Sequence, residues 1–136
     1  MLPRPAPTEL SPMVILRSFI AIAAGFGCIA LLTAITTLLT RWLVPSWASL
    51  PPSRTAQLFN LVAGCLYGAL GGRLTAILAP SHSLIHSLIL AIIVLLVSTI
   101  AASELRGQAL GFYPLALAVL PSLATLAGGI FTALYR

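Results

Sequence analysis

The chain has 136 residues, 60% hydrophobic and 7% charged, and its net charge of +5 comes from arginine alone, with no lysine or aspartate. That composition lies outside the range of water-soluble globular domains and excludes a soluble core. Its arginines stand singly rather than on one basic face, which argues against nucleic-acid binding.

The charges are spaced to leave four long uncharged stretches, at positions 18–40, 55–72, 74–103 and 107–135. A hydrocarbon core of about 30 Å needs about 20 apolar helical residues. Only helices and closed barrels satisfy every backbone polar group inside it. The expected fold is all-α: a polytopic membrane protein with four transmembrane helices in a compact bundle.

In chain order, residues 1–12 carry Pro3, Pro5, Pro7 and Pro12 and read as an extended tail. Ser11 is the expected cap of the first helix. The membrane domain is 13–136, with span one at about 14–40. Its uncharged stretch is longer than the apolar core of a signal peptide, so a retained helix is expected. Arg41, Trp42, Trp47 and the prolines of the following loop suit the headgroup region.

Span two is expected at about 55–79, closed by Pro80, with Arg73 snorkelling to the interface. Span three is expected at about 83–103 and span four at about 110–135, with Pro121 kinking the latter. Cys28 and Cys65 lack metal or redox spacing and read as small apolar residues. Arginine bias over the short loops, with Arg4, Arg17, Arg73 and Arg136 on one side, favours both termini in the cytoplasm. Gly71-Gly72-Arg73-Leu74-Thr75-Ala76-Ile77 aligns with Gly128-Gly129-Ile130-Phe131-Thr132-Ala133-Leu134, which raises a repeat of two helical hairpins.

Helical spacing then sorts residues onto faces. Gln57, Asn60, Gly64, Gly68 and Gly72 share one side of span two, a glycine-zipper-like packing face beside Tyr67. Alanine at Gly68 is expected to be tolerated and leucine not. Gly128 and Gly129 extend a small-residue face of span four that includes Ala118, Ser122, Thr125 and Thr132. Thr33, Thr36, Thr37 and Thr40 form a polar stripe on span one, and with Gln57 and Asn60 they read as an interhelical hydrogen-bond cluster or the lining of a polar path. Span three lacks a small-residue stripe and is expected at the lipid-facing edge or against a partner subunit.

His82 and His86, one turn apart, are the candidates for contact with a pigment or haem, while interfacial histidines are the plainer reading. Carboxylate support is missing, because Glu104 lies at the far end of span three from His86, at the other membrane surface. No metal site and no cofactor is called for. No nucleophile motif, phosphate loop or zinc helix appears, and the only acids are Glu9 and Glu104, so no catalytic site and no enzyme is expected. The small multidrug-resistance exporters have similar size and span number, but their family carries a glutamate in the first span where this chain has threonines.

The stretch Tyr67-x3-Gly71-Gly72-x3-Ala76-x2-Ala79-Pro80-x5-His86 resembles the junction between spans two and three in small bacterial four-helix integral membrane proteins of uncharacterised function. The resemblance implies the same architecture and a bacterial inner membrane, and carries no catalytic residues. The expected function is therefore a small accessory or scaffolding subunit of that membrane. Its partners would be the bilayer and another membrane protein or a second copy of itself. The alternative is an oligomeric small-solute permease or channel.

Overall fold

The computed structural model describes residues 12–48, 53–105 and 111–135, which form four helices and one 3-10 turn. Helix α1 runs Pro12–Leu43, the turn Pro45–Ala48, α2 Arg54–Leu78, α3 Ser83–Glu104 and α4 Tyr113–Leu134. All four are long and apolar enough to cross a membrane. The expected tail, the Ser11 cap and the start of span four near Leu110 lie outside the described residues.

Local chemistry sets the helix ends. Proline at the first position costs no hydrogen bond, so α1 begins at Pro12. It continues through Arg41 and Trp42, past the expected end at Thr40, and stops before Pro45. At 32 residues it is about 48 Å long, more than the hydrocarbon core requires. Ser53 caps α2, its hydroxyl accepting from the Ala56 N–H at 3.2 Å. Pro80 forces Ala79 out of the helical region, to φ −61° and ψ 129°, which ends α2.

The chain then reverses through His82, whose backbone is left-handed at φ 46°. Histidine tolerates that region better than most residues. The His82 carbonyl accepts from the Ile85 N–H at 2.9 Å and so opens α3. Pro114 occupies the first turn of α4, and Pro121 lies inside it.

The helices form a compact bundle in the order α1, α2, α4, α3, with α2 also touching α3 diagonally. The α2–α4 contact is the most extensive and runs parallel, pairing Gly64 and Gly68 with Pro121 and Gly72 with Thr125. Helix α1 runs antiparallel to α2, with Gly25 beside Gly71 and Thr36 beside Tyr67.

The edge helix is α1, not the expected third span. Only 11% of the most apolar window of α1 is buried, against 28% in α3. In α1 just Ala21 and Gly25 are buried, whereas α3 buries six residues, including Ser87, Leu90 and Ala91. A single small side chain, Ser87, lets α3 seat against Gly129, so no long small-residue stripe is needed.

Candidate functional site

Helix packing is tightest around six glycines. A Cβ on Gly25 would lie 2.8 Å from the Gly71 carbonyl oxygen and 2.9 Å from Leu90. On Gly68 it would lie 2.5 Å from the Pro121 carbonyl oxygen, so alanine there is not the tolerated change expected above. The contact is to backbone, which cannot swing aside.

Cβ atoms on Gly72 and Gly128 would likewise strike the backbones of Thr125 and Ala69. Gly71 faces α1 and Gly129 faces Ser87 of α3, so each Gly-Gly pair serves two neighbours. The roles are one residue out of step between the two copies. Gly71 meets its hairpin partner in the first, and Gly129 does so in the second. A buried hydroxyl reinforces this half of the bundle, with Thr75 donating across to the Ala21 carbonyl at 3.2 Å, while Thr125 donates within α4 to the Pro121 carbonyl at 2.8 Å.

Towards the α1–α2 turn the packing loosens. Thr37 donates to the Thr33 carbonyl at 2.8 Å and Thr40 to the Thr36 carbonyl at 2.9 Å, the usual habit of a helical threonine. Thr36 instead meets the Tyr67 hydroxyl across the α1–α2 interface. The Asn60 side chain faces the Tyr113 hydroxyl of α4. Thr36 and Asn60 of the expected cluster thus each face a tyrosine, Tyr67 and Tyr113 respectively.

Between these pairs lies a cleft of about 520 Å³. Thr33, Thr36 and Thr37 line it from α1, Asn60 and Tyr67 from α2, Ser98 from α3 and Tyr113 from α4. Phe26, Ile29, Val94 and Leu117 supply apolar wall. Gln57 is buried in the first turn of α2 and does not line the cleft. Among the described residues, no arginine, histidine, aspartate or glutamate lines it. Pro121 at its back has no N–H, so the Leu117 carbonyl lacks its ordinary helical donor there.

The cleft is open on one side. Ala30, Thr33, Ala34 and Thr37 of α1 and Val97 and Ala101 of α3 line it yet remain exposed. Ala63, Tyr113 and Pro121 line the back and are buried. Asn60 of α2 also lines the cleft and is exposed, and most of the gap lies between α1 and α3, which touch only lightly.

The remaining candidates sit elsewhere. His82 is exposed, and His86 is 9% exposed with its Nδ1 3.1 Å from the His82 carbonyl. They meet through that carbonyl, and among the described residues no group of three His, Cys, Asp or Glu side chains could hold a metal. Arg41, Trp42 and Arg73 are exposed, and Trp47 stacks at a tilt on Phe59 with ring centroids 5.3 Å apart. Cys28 and Cys65 are unbridged and half-buried.

Sequence reasoning missed Ser98 and Tyr113. A polar residue in an apolar run is the signal that could have found Ser98, and Tyr113 stands about two helical turns before Pro121 on the same side of α4. No family model matches the chain, and no curated protein or solved structure matches it.

Proposed function

We propose that the protein is a non-enzymatic membrane protein that holds a small uncharged molecule in the cleft between α1 and the other three helices. The supporting observation is that open cleft, in which seven uncharged polar side chains from all four helices converge on an otherwise apolar wall. Its volume of about 520 Å³ falls within the roughly 300–1,000 Å³ of small-molecule sites. Among the described residues an ion would find no counter-charge on these walls, which favours a neutral occupant.

Ligand-dependent stability tests this reading. A molecule that binds only the folded state raises the unfolding midpoint as its concentration rises above Kd. Purified protein in mild detergent is heated with a panel of neutral solutes and neutral lipids, beside an Ala101→Trp variant whose indole fills the cleft. At least one compound should stabilise the parent and not the variant. A panel that treats both proteins alike would remove the binding role.

The second reading is the accessory or scaffolding subunit, favoured by α1, where only Ala21 and Gly25 of 32 residues are buried. A stoichiometric protein partner retained through mild-detergent purification, and lost when α1 is altered at Leu31 and Leu38, would establish it. A channel would need an assembly of subunits, because Gly25, Gly71 and Leu90 close the base of the cleft.

A further inference from the structure

Resting on the reading of the cleft as a binding site, we infer that its occupant is an uncharged amphiphile drawn from the bilayer. It enters sideways between α1 and α3 and places a hydroxyl or carbonyl group among Asn60, Tyr67 and Tyr113. Four observations carry this inference.

The first is where the cleft opens. Most of its exposed wall is Ala30, Thr33, Ala34 and Thr37 of α1 and Val97 and Ala101 of α3, with exposed Asn60 of α2 beside them. Helices α1 and α3 are long and apolar enough to span a membrane, so this side of the gap faces lipid. The second is its depth. Along α1, Thr37 lies about 6 Å and Phe26 about 22 Å from the interfacial Arg41. In a hydrocarbon core of about 30 Å, the cleft spans roughly one leaflet.

The third is closure beneath. Leu90 is fully buried and packs where Gly25 approaches Gly71, so the cleft is a recess and not a passage. The fourth is the arrangement of polar groups. The Asn60 amide has two N–H donors and an acceptor, of which the Tyr113 contact uses only a part. Thr36 and Tyr67 share one hydrogen bond, which leaves one of their two hydroxyl protons to donate elsewhere.

Phe26, Ile29 and Val94 lie deeper and offer only hydrocarbon. A molecule with a neutral hydrogen-bonding head and an apolar tail matches that order. A charged head would find no counter-charge among the described residues that line the cleft.

The test uses phosphatidylcholine vesicles containing the full chain and a trace of diacylglycerol with a diazirine on one acyl chain. After illumination, cross-linked residues are mapped by peptide mass spectrometry. Parallel vesicles carry photoreactive phosphatidylcholine or photoreactive fatty acid.

Diacylglycerol cross-links should concentrate on Phe26, Ile29, Val94 and Val97, and unlabelled diacylglycerol should compete them away. The combined Asn60→Leu and Tyr113→Phe change should lower them roughly tenfold, the factor supplied by two membrane hydrogen bonds of ordinary strength. Cross-links to exposed Leu31 and Leu96, which do not line this cleft, should stay constant and report an intact bundle. Competition on the unaltered chain keeps the test decisive should the double variant fail to fold.

An even distribution of diacylglycerol cross-links around the helices, like that of phosphatidylcholine, overturns the inference, as does equal labelling by the charged fatty acid. A second arm separates this failure from failure of the binding site itself. Thr37→Cys, with Cys28 and Cys65 replaced by alanine, is exposed to a neutral water-soluble maleimide. Rapid labelling without diacylglycerol capture assigns the cleft to an aqueous solute and leaves the proposed function standing. Neither labelling nor capture removes both.

Discussion

Replacing Gly72 with alanine adds one methyl group, and the backbone of α4 occupies the place it needs. The new Cβ strikes the Thr125 carbonyl oxygen and lies 2.8 Å from the Thr125 carbonyl carbon and 3.1 Å from its Cα. All three are backbone atoms of α4, so the helices must separate. Overpacking of this kind costs about 1–3 kcal/mol, and backbone contact places this case near the upper end.

Alanine also favours a helix over glycine by about 1 kcal/mol, which offsets part of the loss. Gly27→Ala is the control, since nothing lies within 4 Å of its Cβ position and the propensity gain is retained. The difference between the two alanine variants cancels propensity and leaves about 3 kcal/mol of steric cost. Reversible unfolding in mixed micelles titrated with dodecyl sulfate and followed by helical circular dichroism measures both. A gap below about 1 kcal/mol would refute the claim that the α2–α4 contact depends on the missing side chain.

Three further outcomes follow from named contacts. Thr75→Val keeps the shape of a fully buried side chain and deletes its 3.2 Å bond to Ala21, so stability in the same titration should fall by about 0.6–1.7 kcal/mol; no loss would show that the bond contributes nothing. Thr36→Val and Tyr67→Phe, alone and together, should give a coupling of about 0.6 kcal/mol or more, whereas strictly additive effects would mean the hydroxyls do not interact. Trp47 packs on Phe59 beside an exposed Trp42, so tryptophan emission should be quenched more by lipids brominated near the headgroup than by lipids brominated at the chain ends. The reverse order would displace the α1–α2 turn from the interface.

The four helices were legible because lipid imposes one demand, uninterrupted apolar length, that residue order alone reveals. The glycine face of α2 was legible too, since spacing by four places Gly64, Gly68 and Gly72 on one side. Which helix meets that face was not, because periodicity reports direction from one axis and not the identity of the neighbour. The same gap explains the misplaced edge helix. The small residue that seats α3 against Gly129 is Ser87, alone at the head of an aliphatic run, whereas Thr33, Thr36 and Thr37 of the threonine stripe of α1 line a cleft. Tolerance of alanine at Gly68 was misjudged because 2.5 Å to a carbonyl oxygen is a property of two helices together.

The cleft and the tight packing have a common cause in how side-chain size is distributed along the bundle. Gly25, Gly68, Gly71, Gly72, Gly128 and Gly129 all lie in the half towards the α2–α3 turn, where the backbones come within contact distance. Towards the other end the inward positions carry Phe26, Ile29, Tyr67, Tyr113 and Leu117, and Gly64 meets Pro121 only at an ordinary 3.4 Å.

Helices drawn together at one end and held apart by large side chains at the other must splay. The splay falls on α1 because beyond Gly25 that helix has no buried residue to hold it. In water the apolar part of such a gap would collapse under the hydrophobic effect, but lipid tails are themselves apolar and exert no such pressure. A polar-lined recess facing the bilayer is thus stable in a membrane for the same physical reason that the glycines are needed to close the opposite half.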